Sequence, residues 1–226
     1  MDVRDAVASR YSCRAFLPDA IPEATVRDII DRAARAPSGG NLQPWLVHVI
    51  AGARLEELKA LLRPRFAKEL PRGEGPEYDV YPRELKQPYY GRRAHVGNQL
   101  YQSIGIPRED RPARYRQFAR NYLFYDAPVG IFVSIDRTMG PPQWSDVGGF
   151  IQNIMLLARA HGLHTCPQEA WSNWHKTLNA FLPLPAEHIL FCGIALGRAD
   201  ETAPINGWRS EREPLAAFAR FEGFGG

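Results

Sequence analysis

The chain has 226 residues, 45% of them hydrophobic, and a formal net charge of +3. That length and apolar content suit one ordinary globular core, so a single domain over residues 1–226 is expected. The mild positive balance does not predict a nucleic-acid partner, which calls for a clustered basic face.

Residues 2–9 predict a short helix with Val3, Ala6 and Val7 on one face. Ile21-Pro22-Glu23 opens a second helix, with proline in its first turn. Its core stripe is Val26, Ile29, Ile30, Ala33 and Ala34, and Pro37 ends it. Trp45 to Ala51 is β-rich and predicts a strand. A third helix carries Leu55, Leu58, Leu61 and Leu62 up to the interruption at Pro64.

Residues 69–127 differ in character. They are rich in Pro, Arg and Tyr, and Pro71, Gly73, Gly75, Pro76, Pro82 and Pro88 break any long element. Helices are expected around 93–104 and 110–122. The stretch reads as an excursion that shapes a pocket, not as a second domain. Its Tyr89, Tyr90, Tyr115, Phe118, Tyr122 and Phe124 are candidate pocket walls, with a structural aromatic cluster as the alternative.

Val129 to Ile135 predicts a strand. Ser145 or Asp146 is the candidate cap of a long helix holding Val147, Phe150, Ile151, Ile154, Met155 and Ala158, closed by Gly162. That helix is apolar around much of its circumference, which predicts burial on two sides. Glu169 to Phe181 reads as another helix, and the apolar run His188 to Leu196 as a central strand. Residues 201–214 form an irregular, Arg-containing tail. Helices alternating with strands argue for an α+β or α/β layer fold.

Cys13, Cys166 and Cys192 are odd in number, far apart and lack a CxxC, which predicts reduced thiols. The charged start Met1-Asp2-Val3-Arg4-Asp5 lacks the apolar run of a signal peptide, and no apolar run is long enough to span a bilayer. A cytoplasmic location is therefore expected.

Four segments carry chemistry. Arg10-Tyr11-Ser12-Cys13-Arg14 offers two guanidiniums and a hydroxyl within five residues. In an extended segment Arg10, Ser12 and Arg14 share one side and suit a dianionic phosphate. Only four of the 28 basic residues are lysines, so an arginine informs only within such a pattern, and a solvated turn is the plain alternative. Pro37-Ser38-Gly39-Gly40-Asn41-Leu42-Gln43-Pro44-Trp45 is rich in small residues and amides. It reads either as a loop against a flat, polar-edged ring or as an ordinary helix C-cap and turn. Cys166-Pro167-Gln168-Glu169-Ala170-Trp171 is expected between a helix end and a helix start. Its unpaired N–H groups could face a ring atom that gains negative charge. In the tail, Arg209 and Arg212 are the candidates, Arg212 returning to complete the phosphate clamp.

A phosphate clamp and a ring-edge loop joined by one helix suggest a flavin mononucleotide (FMN) site. Together with Phe124-Tyr125-Asp126-Ala127-Pro128-Val129, Asp146-Val147-Gly148, Gln152-Asn153 and Gly193-Ile194-Ala195-Leu196-Gly197, these segments resemble the nitroreductase family over residues 7–224. The resemblance implies an α+β fold, a three-layer α/β/α sandwich around a mostly antiparallel sheet, in a homodimer with two FMN sites at its interface. It implies that Arg10, Ser12, Arg14 and Arg212 hold phosphate and ribityl, with Tyr11 and Cys13 in the same segment. Pro37, Ser38 and Asn41 would line the isoalloxazine, and Glu169 and Ala170 would lie beside N5 through their backbone, with Gly39, Pro167 and Gln168 as further cofactor-binding candidates in the same segments. Some relatives carry a further basic residue at Ser210, which Arg209 is placed to replace, and a glycine at Ala170. The implied activity is ping-pong reduction of nitroaromatic or quinone acceptors by NADPH or NADH, with no side chain needed as acid or base. A reductive dehalogenase or dehydrogenase on the same scaffold, and a non-catalytic flavin-binding protein, are the alternatives. There is no GxGxxG after a strand and no GxSxG. The string His161-x2-His164-x-Cys166 lacks a second ligand group with zinc-site spacing, so no metal is expected.

Overall fold

The computed structural model describes residues 1–224. Its helices are α1 (Val3–Ser9), α2 (Glu23–Ala33), α3 (Gly52–Leu62), α4 (Phe66–Glu69), α5 (Tyr89–Gln102), α6 (Arg111–Ala119), α7 (Pro141–Ala160), α8 (His175–Phe181), α9 (Pro204–Gly207) and α10 (Leu215–Phe218). The strands β1 (Trp45–Ala51), β2 (Val129–Asp136), β3 (His164–Gln168) and β4 (His188–Gly197) form one antiparallel sheet in the order β1-β2-β4-β3. The fold is α+β, as expected.

Each face of the sheet carries its own core, because successive strand residues point to opposite faces. On β2, Val129, Ile131, Val133 and Ile135 pack with Val26, Ile29 and Ala33 of α2 and with Val147, Phe150 and Ile154 of α7. Phe132 points the other way, toward Leu55, Leu58 and Leu62 of α3 and toward Trp171 and Trp174. Burial on both faces is why β2 and β4 read as continuous apolar runs. A bulge sits between them: Val133 opposes Cys192 while Ser134 opposes Leu190. The extra residue, Phe191, meets the rings of Trp144 and Tyr78 at 5.2 and 6.1 Å.

Several expectations need correction. Helix α7 begins at Pro141, not after Ser145 or Asp146, since two prolines at its start cost no internal hydrogen bond and Gln143 accepts from the Gly140 N–H. His164 to Gln168 is the edge strand β3, not a connection between helices; Pro167 is tolerated there because an edge strand has one unpaired side. The helix expected from 169 to 181 is a 3₁₀ turn, Glu169–Trp174, followed by α8. On α1 only Ala6 is buried, while Val3 and Val7 are 67% and 54% exposed. On α2, Ala34 lies at the surface, and so does Leu61 on α3.

The excursion is tied to the core by charge. Glu74 accepts from the Lys176 and Thr177 N–H groups at 2.9 and 3.1 Å, capping α8, and pairs with Arg65 at 3.2 Å. Among the described residues, no helix is long and apolar enough to cross a membrane.

Candidate functional site

The first candidate segment is extended because it lies against β3. Ser12 bridges Thr165 in parallel, and the Cys13 N–H donates to the Thr165 carbonyl at 2.9 Å. Alternation then sorts its side chains. Cys13 turns into the core, fully buried, with its thiol pushed up to about 12 by burial, and takes no place in a cavity wall. Arg10, Tyr11, Ser12 and Arg14 line a cavity of about 570 Å³ together with Arg209, Ser210 and Arg212 of the tail. Val96, Gly97 and Leu100 of α5 and Gln152 of α7 complete it.

The electrostatics of this cavity are one-sided. None of its four arginines pairs with a carboxylate among the described residues. The tail's acids are drawn away to α5: Glu213 accepts from Arg92 at 2.8 Å, and Glu211 from Gln99 at 2.8 Å, with His95 3.3 Å away. Arg212 donates to the Ser210 hydroxyl at 2.7 Å, and Arg209 lies 3.6 Å over the Tyr11 ring. Burial, and then the neighbouring Arg212 charge, hold the Arg10 guanidinium below its ordinary pKa. Clustered guanidiniums without a counter-charge are costly, and a dianion relieves that cost through charge-assisted hydrogen bonds. The residues present therefore fit a phosphate group.

The Pro167–Ala170 segment lies at the other end of β3, about 10 Å away along the strand at its usual rise per residue. Its residues line a second cavity of about 490 Å³ with Tyr81, Arg93 and Asn121, and Glu169 also lines a third with Phe191 and Cys192. Trp171 holds the turn down by packing on Gly193, where a Cβ would come within 2.2 Å of the indole. The Gln168 side chain is structural: it is 3% exposed and donates to the Asn121 carbonyl at 2.7 Å. Burial pushes the Glu169 carboxyl up, and it has no hydrogen-bond partner among the described residues. The first N–H groups of a helical turn have no partner within it, so the segment is left with backbone donors.

The glycine-rich loop does not join these cavities. Its Gly39 N–H donates to Asp146 of α7 at 3.1 Å, the Gln43 N–H to the Ser38 hydroxyl at 3.0 Å, and the Gln43 amide to the Asn41 carbonyl at 3.3 Å. Gly40, Asn41 and Gln43 all take positive φ, the conformation that glycine and asparagine tolerate best. The loop therefore has a defined shape, but Pro37, Ser38, Gly39 and Asn41 line no cavity wall shared with Arg10 or Glu169.

Of the aromatic candidates, Tyr122 and Phe124 are fully buried core, with Phe118 packed against them. Tyr89, Tyr90 and Tyr115 are exposed, and Tyr81 is the tyrosine that faces the second cavity. His161 bonds Asp28, His164 bonds Arg159, and Cys166 is buried with its thiol toward the Pro167 carbonyl. Sequence reasoning missed Asn121, and took Gln152 only as a family match; both contribute through tertiary position alone.

The chain matches the Nitroreductase family over residues 7–198. It is 37% identical to the 4-nitrobenzoate reductase of Pseudomonas putida, over 99% of this chain and 96% of that one. Nitrobenzene nitroreductase of Ectopseudomonas oleovorans is 36% identical over 97% of this chain and 96% of its own length. Among solved structures, the FMN and NADPH-dependent nitroreductase NfnB from sphigopyxis sp. strain HMH superposes with a TM-score of 0.94. It shares 43% identity over 99% of this chain and all of that one. With that sheet, that arginine cavity and relatives of this identity along its whole length, the chain belongs to the nitroreductase family.

Proposed function

We propose that this protein is an FMN-dependent NAD(P)H oxidoreductase that reduces nitroaromatic or quinone acceptors. The observation that carries the reading is the cavity of four arginines without a carboxylate, set at one end of β3 with the Pro167–Ala170 donors at the other. One elongated ligand with a phosphate end and a ring end fits that arrangement. When bound, FMN supplies the redox chemistry, accepting hydride from the nicotinamide and delivering electrons to the acceptor. Arg10, Ser12, Arg14 and Arg212 hold the phosphate, and Arg209 takes the place of the missing basic residue at Ser210. The backbone of Glu169 and Ala170 donates toward the ring edge, where charge grows on reduction. No side chain is assigned a proton-transfer role.

The protein acts as a homodimer. The loop Pro37–Asn41 is shaped and pinned but serves no cavity of its own chain, so it lines the ring of the site on the partner copy. The exposed Val3 and Val7 of α1 supply apolar surface for that contact. The excursion over 69–127 is pocket-forming within a single domain: it gives Val96, Gly97 and Leu100 to one cavity and Tyr81 and Arg93 to the other. Three buried free thiols suit a reducing compartment such as the cytoplasm.

The test is an absorption spectrum of the purified protein before and after anaerobic addition of NADPH or NADH, followed by 4-nitrobenzoate or a quinone. Flavin bands that bleach with the nicotinamide and return with the acceptor are expected. Protein that neither carries flavin nor binds added FMN refutes the reading.

A further inference from the structure

The two halves of the arginine cavity come from opposite ends of the chain, and one buried side chain fastens them to each other. Asn206 of α9 is 3% exposed. Its Oδ1 accepts from the Arg14 N–H at 2.9 Å. Its Nδ2 donates to the Ala15 carbonyl at 2.7 Å and to the Asp200 carbonyl at 2.8 Å. Its own backbone carbonyl accepts from the Arg209 guanidinium, which lies over the Tyr11 ring. Tyr11, Arg14 and Arg209 all line the cavity. The amide has one workable orientation: turned over, it would set donor against donor at Arg14 and oxygen against oxygen at the two carbonyls.

These contacts answer a problem that the site itself poses. Like charges repel, so bringing two arginine-bearing segments to one cavity is opposed until an anion arrives. A carboxylate between them would join the segments by neutralising them. A neutral amide joins them and leaves the positive charge for a dianion. The first segment is held at successive residues: the Cys13 N–H is used on Thr165 of β3, and the next one, that of Arg14, on Asn206. Asn206 is not part of the cavity wall, so it acts on a ligand through Arg14 and Arg209.

We propose that Asn206 is a positioning residue for the phosphate end of the ligand. It holds the Arg14 backbone and the Arg209 guanidinium in register, so that residues 10–14 and the tail close on one anion. The proposal rests on the reading of the arginine cavity as a phosphate clamp. Asn206→Ala removes the three side-chain hydrogen bonds and changes no side chain of the cavity wall. Because both segments it joins act at the phosphate end, its loss is felt by a ligand with a phosphate and not by one without it.

Holoprotein is equilibrated with excess riboflavin, and the bound ratio of FMN to riboflavin is measured by chromatography. The wild type is expected to favour FMN strongly, and Asn206→Ala to lower that preference about tenfold, the usual worth of one hydrogen bond to a charged group. A merely structural role for Asn206 weakens both flavins together and leaves the ratio unchanged, which overturns the proposal. Arg212→Ala, a change that touches none of the Asn206 bonds, separates the two ideas. If Arg212→Ala collapses the preference and Asn206→Ala does not, the positioning role alone fails. If Arg212→Ala keeps the wild-type preference, the phosphate-clamp reading fails as well. Should Asn206→Ala not accumulate as folded protein, Asn206→Ser is read in the same exchange. Its hydroxyl is too short to span Arg14, Ala15 and Asp200 together, so the same fall is expected, and an unchanged ratio overturns the proposal equally.

Discussion

Gly193→Ala tests how the fold presents the ring-edge segment. An ideal Cβ at this position stands 2.2 Å from Trp171 Cδ1 and 2.7 Å from Nε1, whereas comfortable carbon contacts begin near 3.5 Å. Moving the indole is not cheap. Trp171 is fully buried, and the rings of Phe124, Phe132 and Tyr122 stand 4.7, 5.1 and 5.4 Å from it. Overpacking of this kind costs about 1–3 kcal/mol. Replacing glycine by alanine returns about 0.4–1 kcal/mol by restricting the unfolded chain. With a contact this short the upper end of the cost applies, so a net loss of about 2 kcal/mol is expected. For a chain of this size that lowers Tm by about 4–8 °C. The displaced indole also lifts the Glu169–Trp174 turn, so the variant should retain less flavin after gel filtration. Adding Trp171→Phe, a smaller ring, should recover part of the Tm. A Gly193→Ala protein with wild-type Tm and full flavin content would refute the packing argument.

Other perturbations have equally definite outcomes. His164 is held down to about 4 by burial and then by the Arg159 and Arg209 charges, against an ordinary value of 6.5. Between these values the unfolded chain binds a proton that the native state refuses, so stability falls as pH drops from about 6.5 toward 4. His164→Gln should flatten that part of the curve in urea titrations, and an unchanged slope would count against it. Burial raises the Glu74 carboxyl, but the Thr177 hydroxyl and amide and then Arg65 outweigh it and hold the group below the usual glutamate range. Its contribution is present above the unfolded pKa and is lost as pH falls through the folded one. Glu74→Ala should cost about 1.5–3 kcal/mol at neutral pH, lowering the urea midpoint at constant m-value. Asp146→Ala frees the Gly39 N–H, so hydrogen exchange at Gly39 should accelerate while global stability changes by under about 1 kcal/mol. Unaltered exchange would show that the loop is held some other way.

Much of this molecule is legible along the chain. The stripe of α2, the strand β1 and the apolar runs of β2 and β4 follow from periodicity and burial, since short-range pattern fixes which faces must leave water. The phosphate segment is legible because charge and alternation are local: an extended Arg10-x-Ser12-x-Arg14 puts its polar groups on one side whatever lies beyond. The β3 edge strand was not legible. Five residues containing a proline carry little strand signal, and only their pairing with β4 makes them one. The start of α7 was misplaced because Ser145 and Asp146 are ordinary cap residues, while the real start rests on two prolines and a glutamine that reaches back.

The sequence by itself determined the layer fold, the phosphate-binding segment and the family, because each is written in residues close together along the chain. Tertiary structure decided which of those residues meet. It turned Cys13 inward and spent the Gln168 side chain on Asn121. It sent the tail's acids to α5 and its arginines to the cavity, and it kept the glycine-rich loop away from the cavities of its own chain. These outcomes depend on contacts between residues far apart in the chain, from Gln168 with Asn121 to Gly39 with Asp146 and Arg14 with Asn206, which no local pattern records.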